Sequence, residues 1–173
     1  MNDIASAVGI KAASLYAHYA GKEEIFASVF ESALTTWSGL VEGIFAKAEG
    51  AGGLEAGLNR VLGDFACSMM GSVAYRFWAR VYVFPPKILS AEDRQRMIAM
   101  DRSFGERLGL FCGSRLAGKA STETLELFSA SLTFFAMGIL MYAELMDEAA
   151  VRGEIRRGIA FHIRALGSNE EKP

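Results

Sequence analysis

Residues 1–26 read Met-Asn-Asp-Ile-Ala-Ser-Ala-Val-Gly-Ile-Lys-Ala-Ala-Ser-Leu-Tyr-Ala-His-Tyr-Ala-Gly-Lys-Glu-Glu-Ile-Phe, the spacing of two short helices joined by a tight corner. Ala5 has to be small because the second helix crosses over it. Gly9 stands where the corner needs positive φ, which glycine adopts at no steric cost. Ile4, Val8, Ile10 and Leu15 are placed to fill the small core between the pair. The corner then projects a helix over about 12–19, which is the plan of a helix-turn-helix.

Downstream, apolar residues recur at helical spacing with no sustained period-two alternation, so the class is all-α. Ile25, Phe26, Val29, Phe30, Ala33, Leu34, Trp37, Leu40, Val41, Ile44 and Phe45 form one continuous stripe. It predicts a single long helix over 22–47, stopped by Gly50, Gly52 and Gly53. Further helices are expected over 54–69, through the aromatic segment that Pro85-Pro86 ends, from a Ser90 cap to about 116, and over about 151–166. Gly118 and Ser121 mark a boundary. The helix beginning near Thr122 carries two apolar rows, Leu125, Phe128, Leu132, Phe135 and Ile139 on one, Leu127, Phe134, Met141 and Leu145 on the other. One core cannot take both.

A chain of 173 residues that is 51% hydrophobic and 22% charged has enough apolar surface to bury some against a second copy. Its formal net charge of −2 offers a polyanion no overall attraction, so any nucleic-acid contact must come from a local patch. Cys67 and Cys112 are isolated and read as buried thiols in a reducing compartment. The first ten residues do not resemble a signal peptide. The uncharged run 127–143 is shorter than the ~20 residues of a membrane span and lacks basic flanks, so it is read as a doubly buried helix of a soluble protein.

The opening stretch resembles the tetracycline-repressor (TetR) family of bacterial regulators. Ile4-Ala5, Val8-Gly9-Ile10, Leu15-Tyr16, His18-Tyr19 and Lys22 fall in the register of that family's signature. The resemblance covers about the first 30 residues by motif and the remainder by architecture alone. It implies a DNA-binding face of Lys11, Ala12, Ala13, Ser14, Tyr16, His18 and Lys22, in which Tyr16 and Lys22 meet phosphates and Lys11, Ser14 and His18 are the candidates for reading bases. Two departures stand out. Family members carry a further helix before this motif, whereas Met1 falls inside the motif's first helix, so a start upstream of residue 1 is expected. Lys11 also replaces the usual Ser or Thr cap of the second helix, trading ~1 kcal/mol of capping for a positive charge.

His18 and His162 are the only histidines, and neither has a second ligand at metal spacing; no metal, no cofactor and no catalytic residue is assigned. Phe65, Met69, Trp78, Tyr82, Met100, Phe104, Phe111, Phe134 and Met141 are candidates to line an apolar effector pocket, with Arg76, Arg80, Tyr82 or Tyr142 as polar handles. Leu127, Phe134, Gly138, Met141, Leu145, Ile155, Ile159 and Ile163 are candidates for a homodimer interface. The expected organisation is a helix-turn-helix over 1–21, a linking helix over 22–49, a helical effector-binding and dimerisation bundle over 50–166, and a frayed tail over 167–173. The reading is thus a cytoplasmic, non-enzymatic transcription regulator, a repressor by the commoner behaviour of the family. It would bind a palindromic DNA operator as a homodimer under control of a small, largely apolar effector, with no membrane partner. The alternative is an all-helical carrier or sensor for a small molecule that does not bind DNA.

Overall fold

The structure, a computed structural model, describes residues 1–116, 120–143 and 145–168. Among these residues run eight helices and no strand, which is the all-α class expected: α1 (Asn2–Ala7), α2 (Ala12–Tyr16), α3 (Lys22–Ala48), α4 (Gly53–Met69), α5 (Val73–Val83), α6 (Ala91–Leu116), α7 (Thr122–Ala143) and α8 (Glu148–Ser168).

Side-chain caps set several of the boundaries. Ser90 Oγ accepts from the Asp93 N–H at 3.0 Å while the Asp93 carboxylate accepts from the Ser90 N–H at 3.1 Å, a reciprocal cap on α6. Ser72 accepts from the Tyr75 N–H ahead of α5, and Ser121 from the Thr124 N–H ahead of α7. The start of α8 differs from expectation. Asp147 Oδ1 accepts from the Ala150 N–H at 2.8 Å, so the helix opens at Glu148 rather than near Val151. It also runs on to Ser168, which takes Gly167 and Ser168 out of the expected frayed tail. Gly118 and residues 169–173 lie outside the described residues.

The core is one contiguous cluster centred on α4, whose Leu58, Val61, Leu62 and Phe65 are fully buried. Helices α3 and α6 run parallel and meet through a layer of rings. Trp37 and Phe45 pack edge-on against Phe104, and Phe45 also against Phe111. Two polar ties frame this layer. Arg96 of α6 forms a two-pronged ion pair with Glu31 of α3, and Arg115 donates to the carbonyls of Ala48 and Glu49 at the end of α3, both at 3.1 Å. Since cations near a helix C-terminus complement its exposed carbonyls, Arg115 closes α3 electrostatically as well.

Helix α7 lies between α6 and α8 and also touches α4. Its two apolar rows separate as their spacing implies. Phe128 and Leu132 are buried, with Leu125, Phe135 and Ile139 packed against the core, whereas Leu127, Phe134 and Met141 face outward at 66, 78 and 57% exposure. By length and composition α7 is apolar enough to cross a membrane. In this fold its inner face instead closes the bundle, and Tyr75 of α5 donates to the Leu140 carbonyl at 2.5 Å.

Candidate nucleic-acid interface

The corner between α1 and α2 forms as its residues dictate. Gly9 sits at φ +70°, and the Ile10 N–H returns to the Ala5 carbonyl at 3.0 Å. Ala5 is buried under α2, and Leu15 is buried with it. The rest of the expected small core is not closed: Ile4 is half-buried, while Val8 and Ile10 are 62 and 46% exposed, because no other described element packs over that side.

Helix α2 is shorter than the sequence suggests. Lys11 leads it in with extended backbone and no side-chain cap, and regular helix stops at Tyr16. The chain stays coiled a little further, with the Ala17 N–H bonded to the Ala13 carbonyl and the His18 and Tyr19 N–H groups both bonded to the Leu15 carbonyl. His18 therefore stands on the turn after the helix rather than on it. Of the seven residues singled out for DNA contact, Lys11, Ala13, Ser14, Tyr16, His18 and Lys22 are exposed and Ala12 is half-buried.

The electrostatics of this face are modest. Lys11 and Lys22 are the cations within residues 1–24, against Asp3, Glu23 and Glu24. The N-terminus of α3 is already partly served, since Glu24 accepts the Ala20 N–H at 2.6 Å. A phosphate beside Lys22 would share that helix end with two carboxylates of the chain's own. Glu24 lies in the first turn of α3, where acids reach back to free N–H groups, and that position was the signal for it in the sequence.

The expected effector pocket does not open as such. Phe65, Met69, Trp78, Met100, Phe104 and Phe111 are buried against one another in the core, their rings and thioethers filling the space between α3, α4, α5 and α6. Tyr82 and Met141 lie at the surface. A groove of about 1050 Å³ opens instead on the outer side of α6 and α7, and Phe134 alone of the nine candidates lines it. Within the core cluster the Trp78 indole N–H has no hydrogen-bond partner among the described residues. Of the handles, Tyr82 donates to Asp101 at 2.7 Å, Arg80 stacks on Phe84, Arg76 donates to the Gly71 carbonyl, and Tyr142 is exposed. Burial holds the Asp101 carboxyl above its ordinary value and, with Asp101 itself, raises the Tyr82 hydroxyl.

The interface candidates divide. Leu127, Phe134, Gly138, Met141 and Leu145 are exposed and follow one another along α7 and just past its end. Ile155 and Ile159 are buried inside their own chain against the α4 side of the core, so these two cannot supply an outer surface, whereas Ile163 is half-buried at the edge of that core.

A helical bundle that carries a two-helix corner at its N-terminus, with the second helix turned to solvent, defines a helix-turn-helix protein. Residues 1–29 match the family described as bacterial regulatory proteins, tetR family. The match covers the N-terminal 29 residues alone and supports a DNA-binding transcriptional regulator. No curated protein and no solved structure matches the chain.

Proposed function

We propose that the protein represses transcription by binding a palindromic operator as a homodimer and releases it when a small, largely apolar effector binds the bundle. The observation that carries this reading is the Gly9 corner with Ser14 and Tyr16 held outward, coinciding with the stretch that matches the family. Two-fold symmetry sets two such helices about one turn of DNA apart, against successive major grooves.

The bundle offers a path by which an effector acts on this spacing. Helix α3 begins at Lys22, one short turn after α2 ends at Tyr16, so a tilt of α3 carries the reading head with it. Its first third is packed by α5, with Phe26 against Phe77 and Phe30 edge-on to Trp78, while α6 grips it at Glu31 and again at Ala48 and Glu49. The unpaired Trp78 N–H supports an effector that carries one hydrogen-bond acceptor on an apolar body and wedges among these rings. Such a ligand separates α5 and α6 from α3, and it favours release insofar as it prefers the tilted state. The supporting composition and fold suit a cytoplasmic, non-enzymatic protein.

Fluorescence anisotropy of the full chain against DNA flanking its own gene tests the reading. Saturable binding that survives excess unrelated DNA is expected. Affinity that does not distinguish the two DNAs overturns operator recognition.

A further inference from the structure

Two hollows open where the end of α3, the middle of α4 and the start of α8 come together, one of about 360 Å³ and one of about 570 Å³. Lys47, Asp64 and Arg152 line both, so the two share a wall and form one cleft; Ser68 lines the first and Arg60 the second. Lys47 and Arg60 belong to no ion pair among the described residues. Arg60 Nη1 donates to the Lys47 carbonyl at 3.2 Å, which holds the guanidinium beside the last turn of α3. Arg152 is fixed from two sides, since Glu148 accepts from its Nε at 2.9 Å and Asp64 from its Nη1 at 3.1 Å. Gly63 makes room for it on α4, where a Cβ would stand 2.8 Å from Nη1. Its Nη2 has no hydrogen bond among the described residues. Three cations against the two carboxylates that hold Arg152 leave this corner positive, in a chain whose net charge is −2.

We infer that this cleft binds a small multivalent organic anion, a phosphate ester or a polycarboxylate, with Lys47 and Arg60 meeting its charge and Arg152 offering its remaining donor. Ammonium and guanidinium groups recognise both kinds of anion, and the charge-assisted bonds they form are stronger than neutral ones. Hollows of this size suit a metabolite-sized molecule. The phosphates of an operator are a poor source, because Lys22 and Lys47 stand near opposite ends of α3, about 37 Å apart at the rise of an α-helix. DNA held at the reading head therefore does not reach the cleft. The inference goes beyond the operator and apolar-effector readings and needs neither of them, only the meeting of α3, α4 and α8. A ligand held by all three helices at once binds the folded chain alone, so it also stabilises the bundle.

Isothermal titration calorimetry of the full chain with inorganic pyrophosphate and with citrate, at an ionic strength fixed by sodium chloride, tests this. Saturable binding of at least one anion is expected, weakened at least about tenfold in Lys47→Gln/Arg60→Gln. It should be unchanged in Lys87→Gln/Arg94→Gln, which removes two exposed cations outside the cleft and alters the net charge equally. Anion at tenfold its Kd should raise the melting temperature of the wild type by about 3–6 °C and leave that of the cleft variant in place, with far-ultraviolet circular dichroism confirming that each protein is folded. Tighter binding of pyrophosphate assigns the cleft to phosphate esters, and tighter binding of citrate to polycarboxylates. Equal weakening in both double variants would mean that overall charge attracts the anion, and overturns the site. So does an affinity unchanged in Lys47→Gln/Arg60→Gln, or the absence of saturable binding by either anion. None of these outcomes bears on operator recognition, which the anisotropy measurement decides separately.

Discussion

A Cβ added to Gly158 would stand 2.0 Å from Cζ of Phe135, so the ring of α7 lies where any larger residue on α8 would put its side chain. The Phe135 ring also packs 5.6 Å from His162, whose Nδ1 is 2.7 Å from the Gly158 carbonyl oxygen. Glycine inside a helix ordinarily costs ~1 kcal/mol relative to alanine, yet here the replacement forces the ring and the helix apart. Gly158→Ala is expected to lower stability by about 1–3 kcal/mol, the range of overpacked cores. Urea unfolding measures it, and Phe135→Leu in the same chain recovers part of the loss. An unchanged or raised midpoint for Gly158→Ala would show that α7 and α8 do not meet this closely.

At the reading head, Tyr16→Phe and Lys22→Ala are each expected to weaken operator binding, through one phosphate contact per copy. Loss of a cationic contact lowers the slope of log affinity against log salt by about 0.9 for each phosphate released. Lys22→Ala therefore flattens that dependence, whereas Tyr16→Phe leaves it unchanged. With Lys11 and Lys22 as the cations of residues 1–24, the wild-type slope itself should be shallow for a dimer. Equal affinity and slope in all three proteins would remove both residues from the contact.

Much of the fold was readable because local chemistry agreed with the tertiary outcome. The apolar stripe of α3, Pro85-Pro86 after α5 and the Ser90–Asp93 cap each act within a few residues of one another. The double row on α7 likewise announced a face that the chain's own core does not use. What escaped depended on distance in space. Val8 and Ile10 look like core by spacing and are exposed because nothing described covers them, while Ile155 and Ile159 look like an outer row and are consumed by α4. Aromatic and methionine content marked Phe65, Phe104 and Phe111 as possible pocket walls, but composition does not distinguish rings that line a cavity from rings that fill one. The groove beside them is made by glycines four apart on α6, a pattern with meaning only once α7 is laid against it. For the DNA face, the motif located the residues and left the electrostatic competition from Glu23 and Glu24 to be seen in three dimensions.

The tie between α3 and α6 has a pH signature. The Arg96 guanidinium bonded to the Glu31 carboxylate holds that acid below its ordinary value. A carboxyl depressed in the folded state stabilises above its unfolded value and loses that contribution as pH falls through the folded one. Carboxyl-detected NMR is expected to show Glu31 titrating below a free glutamate and returning to the ordinary range in Arg96→Met. Both groups are solvent-exposed, so the melting temperature should move little. The effector's influence on DNA binding should fall, because the polar tie between α6 and the first half of α3 is then gone while the ring layer and the Arg115 tie remain. A Glu31 midpoint that is the same in both proteins would show that the pair is not formed in solution.

Thiol chemistry reports on the packing between α6 and its neighbours. Burial pushes the Cys112 thiol up to about 12, with Arg115 opposing the shift, and burial also raises Cys67, against the pull of Arg152. Reaction requires the thiolate, which for a thiol of that acidity amounts to about 10⁻⁴ of the population at pH 8. Cys112 is fully buried and Cys67 is half-buried. An aromatic disulfide reagent at pH 8 should therefore label the native protein slowly at Cys67 and negligibly at Cys112, and label both at once in urea. Cys67→Ser leaves a native protein with almost no reactive thiol, and an effector that separates α6 from the ring layer of α3 should speed labelling of Cys112 in that variant. Two fast thiols in the unliganded native chain would mean that the bundle is open around α6.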